Sequence, residues 1–187
     1  LARLSLVALV AASVSAHTIR KREECAGGLP ASEVQALVDG HNQLRQKISS
    51  GEYVAAGETM PAAASPIPDV AWDCGLEAEA QQISDTCAGD HTDGTHGENI
   101  FMAMSSEDLQ VEGQGADACK AWEQEFQDEG FHNQFDGTAG HATQMAWSKT
   151  TKIGCGISLC EEKKKSIVFC LYEEAGNVSD DVVYQQA

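Results

Sequence analysis

Six histidines and 29 acidic residues are the side chains that could bind a cation or move a proton, and seven cysteines could hold a metal or cross-link the chain. The compact signatures of catalysis are missing: there is no nucleophile elbow, no glycine-rich phosphate loop and no helical His-Glu-x-x-His. The cysteines fall at positions 25, 74, 87, 119, 155, 160 and 170 with no Cys-x-x-Cys pair, so a thiolate zinc centre has little support. Cross-linking fits better, because residues 1–16 (LARLSLVALVAASVSA) place an Arg before a short apolar run that ends in small residues. Val14 and Ala16 occupy the −3 and −1 positions of a cleavage site, which predicts a secretory signal, and no later segment approaches the length of a membrane span. An oxidising compartment makes disulfides the expected state, and an odd count leaves one thiol free or joined to a second chain. The chemistry of the histidines and acids therefore depends on which of them folding brings together.

Three helices are predicted to do that positioning. Residues 32–50 carry Val34, Leu37, Val38, His41, Leu44 and Ile48 on one stripe. Ser32 with Gln35 predicts a capping box, and Gly51 stands where a left-handed residue ends a helix. On that stripe His41 reads as a hydrogen-bonded core histidine. A second helix is expected over 73–87 through Leu76, Ala80, Ile83 and Cys87, and a third over 116–126 through Ala118, Trp122 and Glu125. Met60–Pro68, small and Pro-rich, reads as a surface loop.

Elsewhere the period changes to two, weakly over 98–104 and clearly over 153–158 and 166–172, which predicts strands. The charged turn between the last two makes them an antiparallel hairpin. If it is symmetric about the Glu162–Lys163 boundary, Cys155 faces Cys170 near enough to bond.

A length of 187 residues with 42% hydrophobic residues suits one globular domain. A net charge of −17 repels phosphate backbones and anionic membranes, so nucleic-acid binding and membrane docking are not expected. The expected organisation is a signal peptide over 1–16, a short segment over 17–31 whose Arg20-Lys21-Arg22 suits processing, and one domain over 32–187.

Eight phrases follow one another in order: HNQLRQ (41–46), AWDCGLEAEA (71–80), Cys-x-x-x-His (87–91), GENIF (97–101), AWEQEF (121–126), GHATQMAW (140–147), IGCG (153–156) and FCLYEEAGN (169–177). Together they resemble the CAP family, the cysteine-rich secretory, antigen-5 and pathogenesis-related 1 proteins. The resemblance spans roughly residues 33–177. It implies an α+β fold, a three-layer α-β-α sandwich with a short central antiparallel sheet.

It also implies a cleft holding a divalent cation, Zn2+ or Mg2+, between two His and two Glu. Carried over, these are His91 from Cys-x-x-x-His, Glu98 from GENIF, Glu125 from Trp-x-x-Glu and His141 from GHATQ. His96 falls outside that spacing, and Glu123 sits about 200° around the helix from Glu125. His132 carries no assignment.

The family pattern adds a Cys87–Cys160 bridge and leaves Cys25, Cys74 and Cys119 to supply one pair and one spare thiol. The expected state is a monomer or a disulfide-linked dimer. Ala142 stands where relatives usually carry an aromatic, and Asn177-Val178-Ser179 is a glycosylation sequon.

By resemblance the protein is expected to be a secreted, non-enzymatic binding protein for a small lipid (sterol or fatty acid) or for a host or cell-surface protein. The phrase over 125–140 fills the place of a ligand-binding loop and supplies Phe126, Phe131 and Phe135. The rival reading is a metal-dependent hydrolase (peptidase) with Glu98 or Glu125 as base.

Overall fold

The computed structural model describes Cys25 and residues 28–187, so the expected signal peptide and most of the 17–31 segment lie outside the described residues. Helix α1 covers Ala31–Ser49, one residue ahead of Ser32, because Pro30 sets the start and its carbonyl accepts from the Glu33 and Val34 N–H groups. The expected capping box does not form. Gln35 donates to Asp39 instead, at 2.7 Å. Gly51 does end α1 with a φ of 73°.

A small hairpin of β1 (Val54–Ala55) and β2 (Glu58–Thr59) and a short β3 (Ala71–Trp72) precede α2 (Cys74–Ser84). Asp73 caps α2 by accepting from the Gly75 and Leu76 N–H groups at 2.8 and 3.1 Å. The helix stops before Cys87, whose φ of 58° is not helical and whose sulfur bonds Cys160. The rest of the chain forms β4 (Gly97–Met104), α3 (Gln114–Asp128), α4 (Gly140–Ala146), β5 (Lys152–Cys160) and β6 (Lys165–Glu173).

The main sheet runs β3-β5-β6-β4. Both β4 and β5 pair antiparallel with β6, while β3 joins β5 in parallel over two residues, so the sheet is mixed rather than wholly antiparallel. Along β6, Ile167, Phe169 and Leu171 pack with Leu76 and Ala80 of α2. The alternate residues Val168, Cys170 and Tyr172 join the core of α1, α3 and α4. Burial on both faces makes three α-β-α layers. Close contact between layers explains the IGCG phrase: a Cβ on Gly154 would fall 2.2 Å from the Glu77 nitrogen, and one on Gly156 2.3 Å from the Gln81 Cα.

The β5–β6 register places Cys155 opposite Cys170, and the two are bonded. Cys87–Cys160 and Cys25–Cys74 are the other bridges. Cys119 is free and only 4% exposed, packed as a small core residue. Burial pushes its thiol up to about 12, so it is also a poor nucleophile. Among the described residues, no helix is long and apolar enough to cross a membrane.

Two buried polar side chains on α1 hold the layers together. Arg45 is fully buried and donates through Nε to Met145 O at 2.8 Å, through Nη1 to Pro68 O and Thr150 O at 2.6 and 2.8 Å, and through Nη2 to Trp147 O at 3.1 Å. His41 donates from Nδ1 to Leu37 O at 2.7 Å, so Nε2 receives the Tyr172 hydroxyl at 2.9 Å. Burial lowers its pKa from 6.5 to about 3.

Replacing Arg45 by Met strands the carbonyls of Pro68, Met145 and Thr150, while Trp147 O keeps the Thr150 N–H, and should cost about 3 kcal/mol or more in urea unfolding at pH 7. The folded chain keeps His41 neutral down to about pH 3, whereas the unfolded chain protonates it near 6.5. Stability contributed by neutral His41 is therefore whole above pH 6.5 and is lost as pH falls. Relative to His41→Gln, the natural chain should lose about 1.4 kcal/mol per pH unit below that point, read from unfolding curves between pH 4 and 7.

Candidate functional site

The cleft of interest lies where the β4 edge meets the start of α4, and its walls come from four parts of the chain. Glu98 and Asn99 sit on β4, Glu125 and Glu129 on successive turns of α3, His141 on the first turn of α4, and His91 on the segment between Cys87 and β4. A cavity of about 290 Å³ is shared by all six. His91, Glu98, Glu125 and His141 thus line one pocket although they are far apart in sequence.

Local packing fixes β4 here. A Cβ on Gly97 would meet Gln144 Oε1 at 2.2 Å, so the first residue of GENIF must be glycine. Trp122 donates from Nε1 to Ile100 O at 3.1 Å, and its ring lies stacked on His141 with centroids 6.2 Å apart. One indole therefore braces both the strand edge and an imidazole of the site.

Helix α4 has only seven residues and its N-cap, Ala139, has no side-chain acceptor. Acids of α3 take that role. Glu125 Oε2 accepts from the His141 and Ala142 N–H groups at 2.8 and 3.2 Å, and Glu129 Oε2 accepts from Ala139 N–H at 2.8 Å. Ala142 itself is buried, so at this position the chain fills core rather than cleft.

Inside the cleft the four expected residues form two His–Glu dyads. His91 Nδ1 lies 2.8 Å from Glu98 Oε2, which also accepts from Thr92 N–H at 3.0 Å, while the Thr92 hydroxyl donates to Glu98 Oε1. His141 Nδ1 lies 2.5 Å from Glu125 Oε1. Burial alone would raise the Glu125 carboxyl, but the His141 hydrogen bond and charge, with the Ala142 and His141 N–H groups, hold it below the ordinary range.

Neither Nε2 has a hydrogen-bond partner among the described residues. Each carboxylate thus engages the Nδ1 side of one imidazole, so the four expected residues stand as two pairs in one cleft. In keeping with this, no three His, Cys, Asp or Glu side chains among the described residues form a group that could hold a metal ion.

Other histidines and acids lie elsewhere. His96 approaches Glu79 of α2 at 3.8 Å, His132 pairs with Asp136 at 2.6 Å, and Glu123 lines a separate hollow beside Tyr53. A hollow of about 590 Å³ around Gln46, Ser49 and Pro66–Asp69 holds none of the candidate residues.

Phe126, Phe131 and Phe135 are all engaged with neighbouring rings. Phe126 is fully buried on α3, edge-on to Tyr53 and Phe131. Phe131 stacks on Tyr184 at 5.6 Å, and Phe135 meets Trp147 edge-on at 6.2 Å. These rings pin the α3–α4 connection to the core.

Asn177 is also already engaged. Its Nδ2, the atom a glycan would occupy, donates to Gly140 O at 2.6 Å and its Oδ1 accepts from the Thr143 hydroxyl at 2.7 Å. The fold gives Asn177 a bracing role at α4. Asn99 and Glu129 were not singled out from sequence. Glu129 could have been, because it lies four residues from Glu125 on the same helix face.

Comparison with known proteins follows the geometry. The model of the cysteine-rich secretory protein family, CAP, matches residues 38–172. Venom allergen 3 of Solenopsis invicta is 29% identical over 84% of this chain and 74% of its own length. Peptidase inhibitor 16 of Mus musculus is 32% identical over 84% of this chain, which spans only 30% of that protein. Among solved structures, BmVAL-1 superposes with a TM-score of 0.81 at 31% identity, covering 88% of each chain. NaASP2, solved with Zn2+, gives 0.80 at 29% identity, covering 88% of this chain and 91% of the other.

The dyad arrangement makes a spectroscopic prediction. At pH 8, long-range 1H–15N spectra should show His141 protonated at Nδ1 with Nε2 bare, and Glu125→Gln should mix the two tautomers. Glu98→Gln should leave the His141 signals unchanged. Glu125→Gln should also lower stability by about 1 kcal/mol, as a neutral acceptor replaces a charged one at the α4 start.

Proposed function

The chain belongs to the cysteine-rich secretory protein family, and on that premise we propose that it is an extracellular, non-enzymatic binding protein acting through the His91–Glu98 and Glu125–His141 cleft, with a divalent cation among its ligands. One observation carries this reading: each carboxylate engages Nδ1 of an imidazole, leaving both Nε2 lone pairs toward one cavity.

Two imidazole nitrogens are ligands of the kind zinc takes, and with no third ligating side chain grouped with them among the described residues, solvent would complete the coordination. Metal-bound histidines commonly give their second ring N–H to a carboxylate, which fixes the tautomer and raises the basicity of the ligating nitrogen. His91 and His141 would hold the ion and Glu98 and Glu125 would orient them. Bound there, zinc supplies a fixed positive charge and Lewis acidity. Mg2+ fits less well, since it prefers oxygen ligands and the two acids are already engaged. A relative of known structure holding Zn2+, at 29% identity, agrees with the choice. Three disulfides and a charge of −17 suit an extracellular setting.

A small lipid is a second reading. What favours it is a hollow of about 280 Å³ beside Phe131, Met60 and Pro61 rather than the rings of the loop, which serve the core. A host or cell-surface protein as partner remains compatible with either ligand.

Calorimetric titration of the oxidised chain should show one saturable Zn2+ site and no comparable Mg2+ binding. His91→Asn and His141→Asn should each weaken zinc at least tenfold. Zinc affinity unchanged in the double variant would overturn the reading. Zinc-dependent peptide hydrolysis that disappears in Glu125→Gln would replace binding by the hydrolase alternative.

A further inference from the structure

The two edges of the main sheet are finished differently. On the β5 side, β3 pairs with Lys152 and Ile153, and farther along the Gln81 amide bonds both the N–H and the carbonyl of Ile157, at 3.0 and 3.2 Å. The opposite edge is β4, whose one strand neighbour is β6.

The register shows which groups β4 turns outward. Ser105 N–H donates to Lys164 O at 2.9 Å, one step beyond the Met104–Lys165 pair. Only every second residue of an antiparallel strand bonds its neighbour, so Phe101, Ala103 and Ser105 face β6 while Ile100, Met102 and Met104 direct N–H and C=O outward. Trp122 agrees with this phase, since it reaches Ile100 O from α3. Past that indole, the backbone groups of Met102 and Met104 have no partner on the outer side among the described residues.

Exposed edges are commonly guarded by lysine, proline or a bulge. The β4 sequence, GENIFMAM, has none of these, and its eight residues pair with β6 without interruption. It presents thioethers instead: Met102 is 51% and Met104 77% exposed, and as alternate residues they share one face. Methionine adapts its shape to varied apolar partners.

Charge flanks this open stretch. The segment after Cys87 passes so near that a Cβ on Gly89 would fall 2.6 Å from Met102 Sδ, which sets the exposed Asp90 beside one end. The exposed Glu107 follows the other end, and neither carboxylate joins an ion pair among the described residues. The lysines nearby are spent, Lys164 on Asp108 and Ser106 O, Lys165 on Cys87 O.

We propose that the β4 edge over Met102–Met104 docks an extended, cationic segment of a protein partner, which adds to the main sheet as a further strand. In antiparallel addition, the residues opposite Met102 and Met104 exchange four backbone hydrogen bonds with them. Apolar side chains at those two positions meet the thioethers, and flanking Lys or Arg meets Asp90 and Glu107. A second copy of this chain fits less well. Its own charge of −17 opposes the approach, and a few residues of one strand fall short of the ~1,000 Å² that a specific interface needs. The edge site does not depend on the cation cleft, which takes the Glu98 end of β4.

The test titrates the 15N-labelled oxidised chain with the capped peptide Lys-Val-Lys-Val-Lys. Saturable shifts are expected at the Met102 and Met104 amides, with slower exchange of both protons with solvent. The same peptide N-methylated on its two valines has equal charge but lacks the donors that face β4, and it should bind at least tenfold more weakly. Met104→Pro removes one outward donor and no bond to β6, and should also weaken the peptide at least tenfold. Asp90→Asn with Glu107→Gln should weaken it at least threefold. Should Met104→Pro fail to fold, the N-methylated peptide carries the test, because it needs no variant.

Equal binding of the N-methylated peptide, shifts confined to the His91–His141 cleft, or no saturation at millimolar peptide each overturns the edge site and leaves the zinc titration of the cleft to stand or fall by itself. A peptide-free dimer that protects the same two amides would make a second copy the occupant and overturn the cationic segment.

Discussion

A buried guanidinium bonded to four backbone carbonyls, with the Asp69 charge nearby, governs this structure. Arg45 reaches from α1 to the carbonyls of Pro68, Met145, Trp147 and Thr150, where α4 ends and the chain turns toward β5. Removing an arginine from water is costly, and burial lowers its pKa to about 10, yet it remains charged at neutral pH. Four carbonyl dipoles and the Asp69 charge offset that cost, and the carbonyls of Pro68, Met145 and Thr150 would be left without donors in its absence. The opposite end of α4 is tied by Glu125 and Glu129 of α3. A helix of seven residues is far too short to be stable alone. It persists because carboxylates hold its positive end and a guanidinium its negative end, each supplied by another helix. His141 is placed by that arrangement before any ligand is considered.

The same arrangement explains what could be read from the sequence. The β5–β6 register followed from where the charged turn falls, because a symmetric hairpin obliges Cys155 to meet Cys170. Long helices were visible through their apolar stripes, and His41 was recognisable as a core residue by its place on one. Features set by distant residues were not visible. Nothing local in GHATQMA marks a helix, since its caps lie on α3 and its C-terminal anchor on α1. The Ser32–Gln35 box obeyed a local rule that Pro30 overrode, and Glu33, which seemed an ordinary first-turn acid, instead accepts from the Gly113 and Gly115 N–H groups at the start of α3. Phe131 and Phe135 read as loop aromatics because the partners that bury them, Tyr184 and Trp147, lie beyond the loop.

The candidate site shows a similar division. Residue types and motif order named four side chains that the fold brings to one cavity, but which atom meets which could not be read from them. With Nδ1 of each imidazole on a carboxylate, the acids orient and the rings present lone pairs. Sequence could not distinguish that from four parallel ligands.

The two walls of the cleft differ in how firmly they are set, and this bears on what they can recognise. His141 is stacked on Trp122, bonded to Glu125 and carried on a doubly anchored helix, with 34% of its side chain exposed. His91 is 63% exposed and is held chiefly by Glu98, on a segment leading away from the Cys87–Cys160 bridge. Groups held in place before binding lose little freedom on binding, so the His141–Asn99 wall supplies geometric selectivity. The exposed His91 side has more freedom to lose and more room to adapt.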